Sequence, residues 1–180
     1  MKLVKQARLF AIAAHTAVGQ FRKYTGEPYH VHPAEVAHIV ERFGGTEQQI
    51  AAAWLHDVVE DTAVTIEVIN TEFGPEVAEL VGWLTDVSKP EDGNRAARKA
   101  IDRAHTAEAP VAAKFIKAAD LISNTRSIVE HDAAFARVYL EEKRLLIKEA
   151  FADMGGEIML ELCRQLKWGQ AQLAKMEKTG

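Results

Sequence analysis

Residues 51–62 read Ala-Ala-Ala-Trp-Leu-His-Asp-Val-Val-Glu-Asp-Thr. Wound at 3.6 residues per turn, this stretch sorts into two faces. Ala51, Trp54, Leu55, Val58 and Val59 fall on one side. His56, Asp57, Glu60 and Asp61 fall on the other, because residues three and four apart are neighbours on a helix. Three acids crowded beside an imidazole repel one another, and a bound cation is the simplest way to make such a cluster favourable. A solvated acidic face on an amphipathic helix is the plainer alternative. The His and Asp residues elsewhere in the chain decide between them.

Working outward, Thr46 with Gln49 three residues on forms a capping box that opens this central helix. Upstream, Leu3 to Val18 carries apolar residues at helical spacing. Gly19 to Val31 is a long loop with Gly26, Pro28 and the basic pair Arg22-Lys23, and loops of this length often carry function. His32-Pro33 closes it; proline suits the first helical position, which places His32 at or near the N-cap of a helix running to Phe43. Gly44-Gly45 ends that helix.

Downstream, a helix starts at about Thr65, capped by that threonine and stopped by Gly74, and Pro75 opens another reaching roughly Val87. Ser88 to Asn94 is a second loop. Arg95 to Thr106 is a basic helix with Arg95, Arg98, Lys99 and Arg103. Pro110 reopens a long helix through Val129, His131-Asp132 breaks it, and Ala133 to Asp153 is helical again. Gly155-Gly156 separates a last helix reaching about Lys175. No period-2 run or hairpin dipeptide signals a strand. The expectation is an all-α bundle of about eight or nine helices.

With 180 residues, 48% hydrophobic and 27% charged, the chain reads as one globular domain spanning 1–180, long enough to bury a core. A formal charge of −4 offers no basic footprint for a nucleic-acid partner. No apolar run approaches the roughly 20 residues of a membrane span, so no membrane partner is expected. Gln6 and Arg8 interrupt what would be the core of a signal peptide, and the single cysteine, Cys163, fits a reducing compartment. A cytoplasmic protein is the expectation; oligomeric state is open.

Candidate metal donors lie on separate helices: His32 at one helix start, His56-Asp57 in the central helix, and Asp120 in the long later one. A site inside a helical bundle requires that distribution. Asp120 lies among Ala118, Ala119, Leu121 and Ile122, and Lys117, Asp120, Asn124 and Ser127 share one polar stripe in that apolar segment. Two imidazoles and two carboxylates suit Mn²⁺, Fe²⁺ or Zn²⁺, and the absence of cysteine from the set argues against a structural zinc. His15 and His38 read as ordinary helix residues, and His105 and His131 as partners of C-terminal helix dipoles.

His32, His56-Asp57 and Asp120 resemble the H…HD…D signature of the HD-domain metal-dependent phosphohydrolases. Longer strings narrow the likeness. Arg-Lys-Tyr-Thr-Gly-Glu-Pro-Tyr-His-Val-His-Pro at 22–33, Leu-His-Asp-Val-Val-Glu-Asp-Thr at 55–62 and Glu-Phe-Gly-Pro-Glu-Val-Ala-Glu-Leu-Val at 72–81 are similar to the hydrolase domain of the RelA/SpoT alarmone enzymes. Ile-Lys-Ala-Ala-Asp-Leu-Ile-Ser-Asn-Thr-Arg at 116–126 extends the match. The motif-bearing core spans 8–130, and helices over 133–177 follow without motifs.

The resemblance implies that His32, rather than His30, joins His56, Asp57 and Asp120 around one Mn²⁺. It makes Glu60 and Asp61 the acid/base and water-orienting pair, and places Arg22, Lys23 and Asn124 at a small-molecule nucleotide substrate. The implied reaction, part of the stringent response, is hydrolysis of the 3′-pyrophosphate of ppGpp to GDP and pyrophosphate by a stand-alone hydrolase. Two departures stand out: Leu121 and Ser123 replace an arginine and a histidine usual beside the metal aspartate. They keep open an HD phosphohydrolase acting on another nucleotide or dinucleotide phosphate, and a regulator that binds the alarmone without cutting it. The physical logic is direct, since a divalent ion lowers the pKa of a bound water towards neutrality, and phosphate charge needs cations.

Overall fold

A computed structural model of the chain describes residues 2–179, so the expected domain limits at Met1 and Gly180 lie just outside it. All regular elements among the described residues are helices, with one isolated antiparallel bridge between Phe21 and Pro28. In order, the helices are α1 (Lys2–Ala17), α2 (Val31–Arg42), α3 (Glu47–Leu55), α4 (Val58–Asp61) and α5 (Ile66–Phe73). After these come α6 (Pro75–Leu84), α7 (Arg95–Glu108), α8 (Val111–His131), α9 (Ala133–Ala150) and α10 (Glu157–Thr179). A single 3-10 turn covers Pro90–Asp92. None is long and apolar enough to cross a membrane among the described residues.

Helices α3 and α8 form the centre. α3 packs against α1, α2, α6 and α8, while α8 also touches α2, α6, α9 and α10. Small side chains make this possible: Ala51, Ala52, Ala53, Ala118 and Ala119 are fully buried and let neighbouring helices approach closely. The C-terminal half of α3, residues 51–55, is therefore buried all round, with Leu55 inaccessible and Trp54 nearly so, rather than apolar on one face alone. Its start is as expected. Thr46 Oγ1 accepts from Gln49 N at 3.2 Å and Gln49 Oε1 accepts from Thr46 N at 2.9 Å.

The single helix expected across residues 46–61 is broken at its most informative point. Asp57 has φ −97° and ψ −4°, in the sparsely populated bridge region where active-site residues recur. The chain leaves α3 at His56, turns through Asp57, and resumes as α4. The turn swings His56 and Asp57 inward and leaves Glu60 and Asp61 at the solvent edge.

The other boundaries differ modestly. His30, not His32, caps α2: Val31 N and His32 N already bond to Pro28 O and Tyr29 O at 3.1 and 2.9 Å, so the cap sits two residues earlier than expected. α6 ends at Leu84 and α9 at Ala150, whereas α7, α8 and α10 run past their expected ends. Thr65 occupies the N-cap of α5 without a side-chain capping bond. Gly74, at φ 85° and ψ 167°, joins α5 to α6 in a conformation closed to other residues.

Candidate active site

Two helices and the turn between α3 and α4 deliver four side chains to one point. His32 comes from the first turn of α2, His56 and Asp57 from the α3–α4 turn, and Asp120 from the middle of α8. His32 Nε2 lies 3.2 Å from Asp120 Oδ1 and 3.6 Å from Asp57 Oδ2. His56 Nε2 lies 3.0 Å from Asp57 Oδ2 and 3.9 Å from Asp120 Oδ1. Both imidazoles are almost wholly buried, and Asp120 is buried with them. Ligand atoms of His32, His56 and Asp57 all lie within 4.8 Å of one another.

The electrostatics explain why this cluster survives burial. Burial works against the charge on Asp57, yet the imidazoles of His56 and His32 outweigh it and hold the carboxyl well below its ordinary range. For Asp120 burial is likewise overcome, here by the hydrogen bond with His32 and the charge of Lys117. Burial alone would depress His56, but Asp57 and Asp120 push it up to about 9. Two carboxylates demand a positive charge between them.

A divalent cation meets that demand. His56 Nδ1 lies 2.9 Å from Ala53 O, which can only accept, so Nδ1 carries a hydrogen and Nε2 is the nitrogen that would offer a lone pair to an ion. That Nε2 is buried and, although 3.0 Å from Asp57 Oδ2, is not aligned for a hydrogen bond. An orphaned imidazole nitrogen facing two carboxylates, with a second imidazole beside it, fits a borderline divalent ion.

Glu60 and Asp61 sit at the mouth of this cluster. Glu60 Oε1 accepts from the backbone N of Asp86. Although its side chain still meets solvent, the protein around it, with the nearby charges of Asp86 and Asp57, raises its carboxyl to about 7. Asp61 Oδ2 accepts from Gln20 Nε2 at 2.9 Å.

Next to the buried cluster opens a cleft of about 340 Å³ lined by Arg22, Lys23, Tyr24, Tyr29, Asn124, Ser127, Ile128 and Phe135, of which Tyr29 and Asn124 bond to Asp57 and Asp120. The expected substrate residues Arg22, Lys23 and Asn124 thus converge from the α1–α2 loop and α8. Asn124 also donates to Asp120 Oδ1 at 2.6 Å, tying the cleft to the buried cluster. Lys23 is held 3.5 Å from Asp132, which accepts from Tyr24 at 3.0 Å. On the other side, Lys117 lies 3.7 Å from Asp120 and shares a second pocket with Lys99, Arg103 and Lys143. Burial, helped by the charge of Lys117, lowers the Lys143 amine to about 8.

Three contributors escaped the reading of the sequence. Tyr29 donates to Asp57 Oδ2 at 2.7 Å. His15, expected to be an ordinary helix residue, is buried with Nδ1 2.7 Å from Gln20 Oε1 and its ring 4.8 Å from that of Tyr29. Lys143 lies on α9, outside every motif. The Gly-Glu-Pro-Tyr string drew attention to the loop, but only folding shows where Tyr29 points.

Residues 7–152 match the HD domain family. The chain belongs to that family. This HD domain is 47% identical over 87 residues to a probable guanosine-3′,5′-bis(diphosphate) 3′-pyrophosphohydrolase of Synechocystis, covering 48% of this chain and 11% of the relative. It is 37% identical over 139 residues to a probable GTP pyrophosphokinase of Mycobacterium leprae, covering 74% of this chain and 18% of the relative. The chain thus spans under a fifth of the length of these curated relatives. Among solved structures, the HD domain is similar to a metazoan ortholog of SpoT described as hydrolysing ppGpp and acting in starvation responses. The TM-score is 0.82 at 26% identity, over 93% of this chain and 96% of that one.

Proposed function

We propose that this HD domain hydrolyses the 3′-pyrophosphate of ppGpp to GDP and pyrophosphate, using one divalent ion held by His32, His56, Asp57 and Asp120. The observation that carries the reading is the convergence of two buried imidazoles on two carboxylates, 3.0 to 3.9 Å apart, beside a cationic cleft. The activities described for the Synechocystis relative and the metazoan SpoT ortholog support the choice of substrate. Mn²⁺ fits the donor set, as Fe²⁺ or Zn²⁺ would. When bound, the ion supplies a water acidified towards neutrality and neutralises phosphoryl charge.

The residues of the chain do the rest. Glu60, poised near pH 7, accepts a proton from the attacking water. Asp61, fixed by Gln20, orients that water. Arg22 and Lys23 bind phosphate oxygens from the loop side, and Asn124 contacts the nucleotide from α8. Burial opposes the charge on Lys117, but Asp120, Asp86, Glu60 and Asp57 keep its ammonium above the ordinary lysine value, as a third phosphate cation.

We further propose that 1–180 acts as one domain in the cytoplasm. The motif-bearing core covers 8–130, and the helices over 133–177 buttress α8, since both α9 and α10 pack on it. The free, half-buried thiol of Cys163 suits a reducing compartment.

The test is a product assay on purified protein with ppGpp, with and without Mn²⁺, beside Asp57→Ala. Ion-dependent GDP and pyrophosphate, absent from the variant, is the expected result. Bound ion without turnover of ppGpp, but with turnover of another nucleotide or dinucleotide phosphate, would move the substrate. Binding without any turnover would make the protein an alarmone-binding regulator.

A further inference from the structure

One turn beyond the four converging groups, α2 and α8 meet a second time. His32 and Glu35 are i, i+3 on α2; Asp120 and Ser123 are i, i+3 on α8, so each pair projects along one face. His32 Nε2 lies 3.2 Å from Asp120 Oδ1 and its Nδ1 lies 3.1 Å from Ser123 Oγ. A single ring is therefore held at both ends by α8. Ser123 Oγ donates in turn to Glu35 Oε2 at 2.9 Å. His32 and Ser123 are 2% and 4% exposed, whereas Glu35 lies at the surface. The carboxylate keeps its hydration and reaches inward with one oxygen.

Proton counting fixes the direction of this chain of bonds. A serine hydroxyl has one hydrogen, and an ionised carboxylate can only accept. With that hydrogen given to Glu35, Ser123 offers His32 a lone pair, so His32 Nδ1 must carry the ring hydrogen. Nε2, turned to Asp57 and Asp120, is then the nitrogen that would offer its lone pair to a cation in place of a proton. His56 reaches the same state through the carbonyl of Ala53, a backbone partner. For His32 the partner is a side-chain relay running to the surface. Ser123 is also one of the two places where the chain departs from the motif it resembles.

We propose that Glu35, acting through Ser123, is a positioning residue that holds His32 in its Nδ1–H tautomer and thereby raises the affinity of the site for a divalent cation. This rests on the reading of His32 as a metal ligand. Partners of this kind orient the ring and raise its basicity as a ligand; their loss costs about 10–100-fold in affinity.

The experiment is a Mn²⁺ titration of metal-stripped protein, followed by loss of the free-ion paramagnetic signal. Imidazole ¹⁵N spectra are taken on the same samples. The set is wild type, Ser123→Ala, Glu35→Ala, the double variant and Ser123→Thr. Affinity is expected to fall about 10–100-fold in Ser123→Ala and in Glu35→Ala. The double variant should be no weaker than Ser123→Ala alone, because Glu35 acts only through the hydroxyl, and Ser123→Thr should bind close to wild type. At a pH high enough for the ring to be neutral, the ion-free wild type should show His32 protonated at Nδ1, and Ser123→Ala a mixture of tautomers.

Unchanged affinity in Ser123→Ala, or losses that multiply in the double variant, would overturn the relay. A wild type that takes up no ion would instead overturn the metal-ligand reading, while the ¹⁵N spectra of ion-free protein would still decide the relay. Glu35 is at the surface, so Glu35→Ala reports even if Ser123→Ala fails to fold.

Discussion

The phenol of Tyr29 donates to Asp57 Oδ2 at 2.7 Å, onto the same oxygen that stands 3.0 Å from His56 Nε2. Burial and the charge of Asp57 keep that phenol protonated far above its ordinary range, so it remains a donor at any pH the fold survives. The substrate-side loop is thereby fastened to the buried cluster. Tyr29→Phe keeps the ring, which packs 4.8 Å from His15 and 5.8 Å from His32, and removes only the hydrogen bond. A bond to a charged group contributes about 1.5–3 kcal/mol. Urea unfolding should show a loss of that order, and ion titration should show weaker binding.

Gln20 links the buried His15 to the exposed Asp61: its carbonyl end lies 2.7 Å from His15 Nδ1 and its amide donates to Asp61 at 2.9 Å. Gln20→Ala frees Asp61 without touching the buried cluster. Steady-state kinetics should show kcat reduced on the order of 10–100-fold, with KM and ion affinity close to wild type. A variant with full kcat would remove Asp61 from the mechanism.

Glu60 sets the acid side of the pH profile. Its carboxyl is raised to about 7 from 4.5, so the base form accumulates only as pH climbs through neutrality. The expected kcat/KM rises through about pH 7 and levels above it, and Glu60→Gln lacks that limb and most of the turnover. The same shift bears on stability. A raised carboxyl contributes stability that is fully present below 4.5 and lost as pH rises through about 7. Glu60→Gln should therefore gain more in Tm at pH 8 than at pH 4.

Chelated protein should behave differently from loaded protein at alkaline pH. His56 is raised from 6.5 to about 9, so its contribution is fully present below 6.5 and disappears as pH rises through 9. Asp57 and Asp120 are lowered, so theirs is lost only on strong acidification. The Tm of metal-stripped protein should fall between pH 7 and 9, and excess divalent ion should flatten that fall. An equal fall in both forms would detach His56 from the ion.

Much of the architecture was legible in order along the chain. Apolar spacing, the Thr46–Gln49 box, the prolines at 33, 75 and 110 and the paired glycines each act within a few residues, where local physics governs. They were enough to predict an all-helical chain and to mark most helix ends within a few residues. His32, His56, Asp57 and Asp120 were legible as donors on separate helices, because ligand chemistry restricts the residue types. The continuous helix across 46–61 failed for a physical reason: the inward pull on His56 and Asp57 comes from His32 and Asp120, far away in sequence.

The sequence by itself determined the helical class, the donor types and the loop that carries Arg22 and Lys23, since periodicity, capping and side-chain chemistry are local properties. Only the tertiary structure decided that Asp57 leaves the helix, that Tyr29 reaches its carboxylate, and that Glu35, Ser123 and His32 form one chain of hydrogen bonds. Those contacts join residues 28 to 91 positions apart, and such pairings exist only once α3 and α8 have packed on their buried alanines.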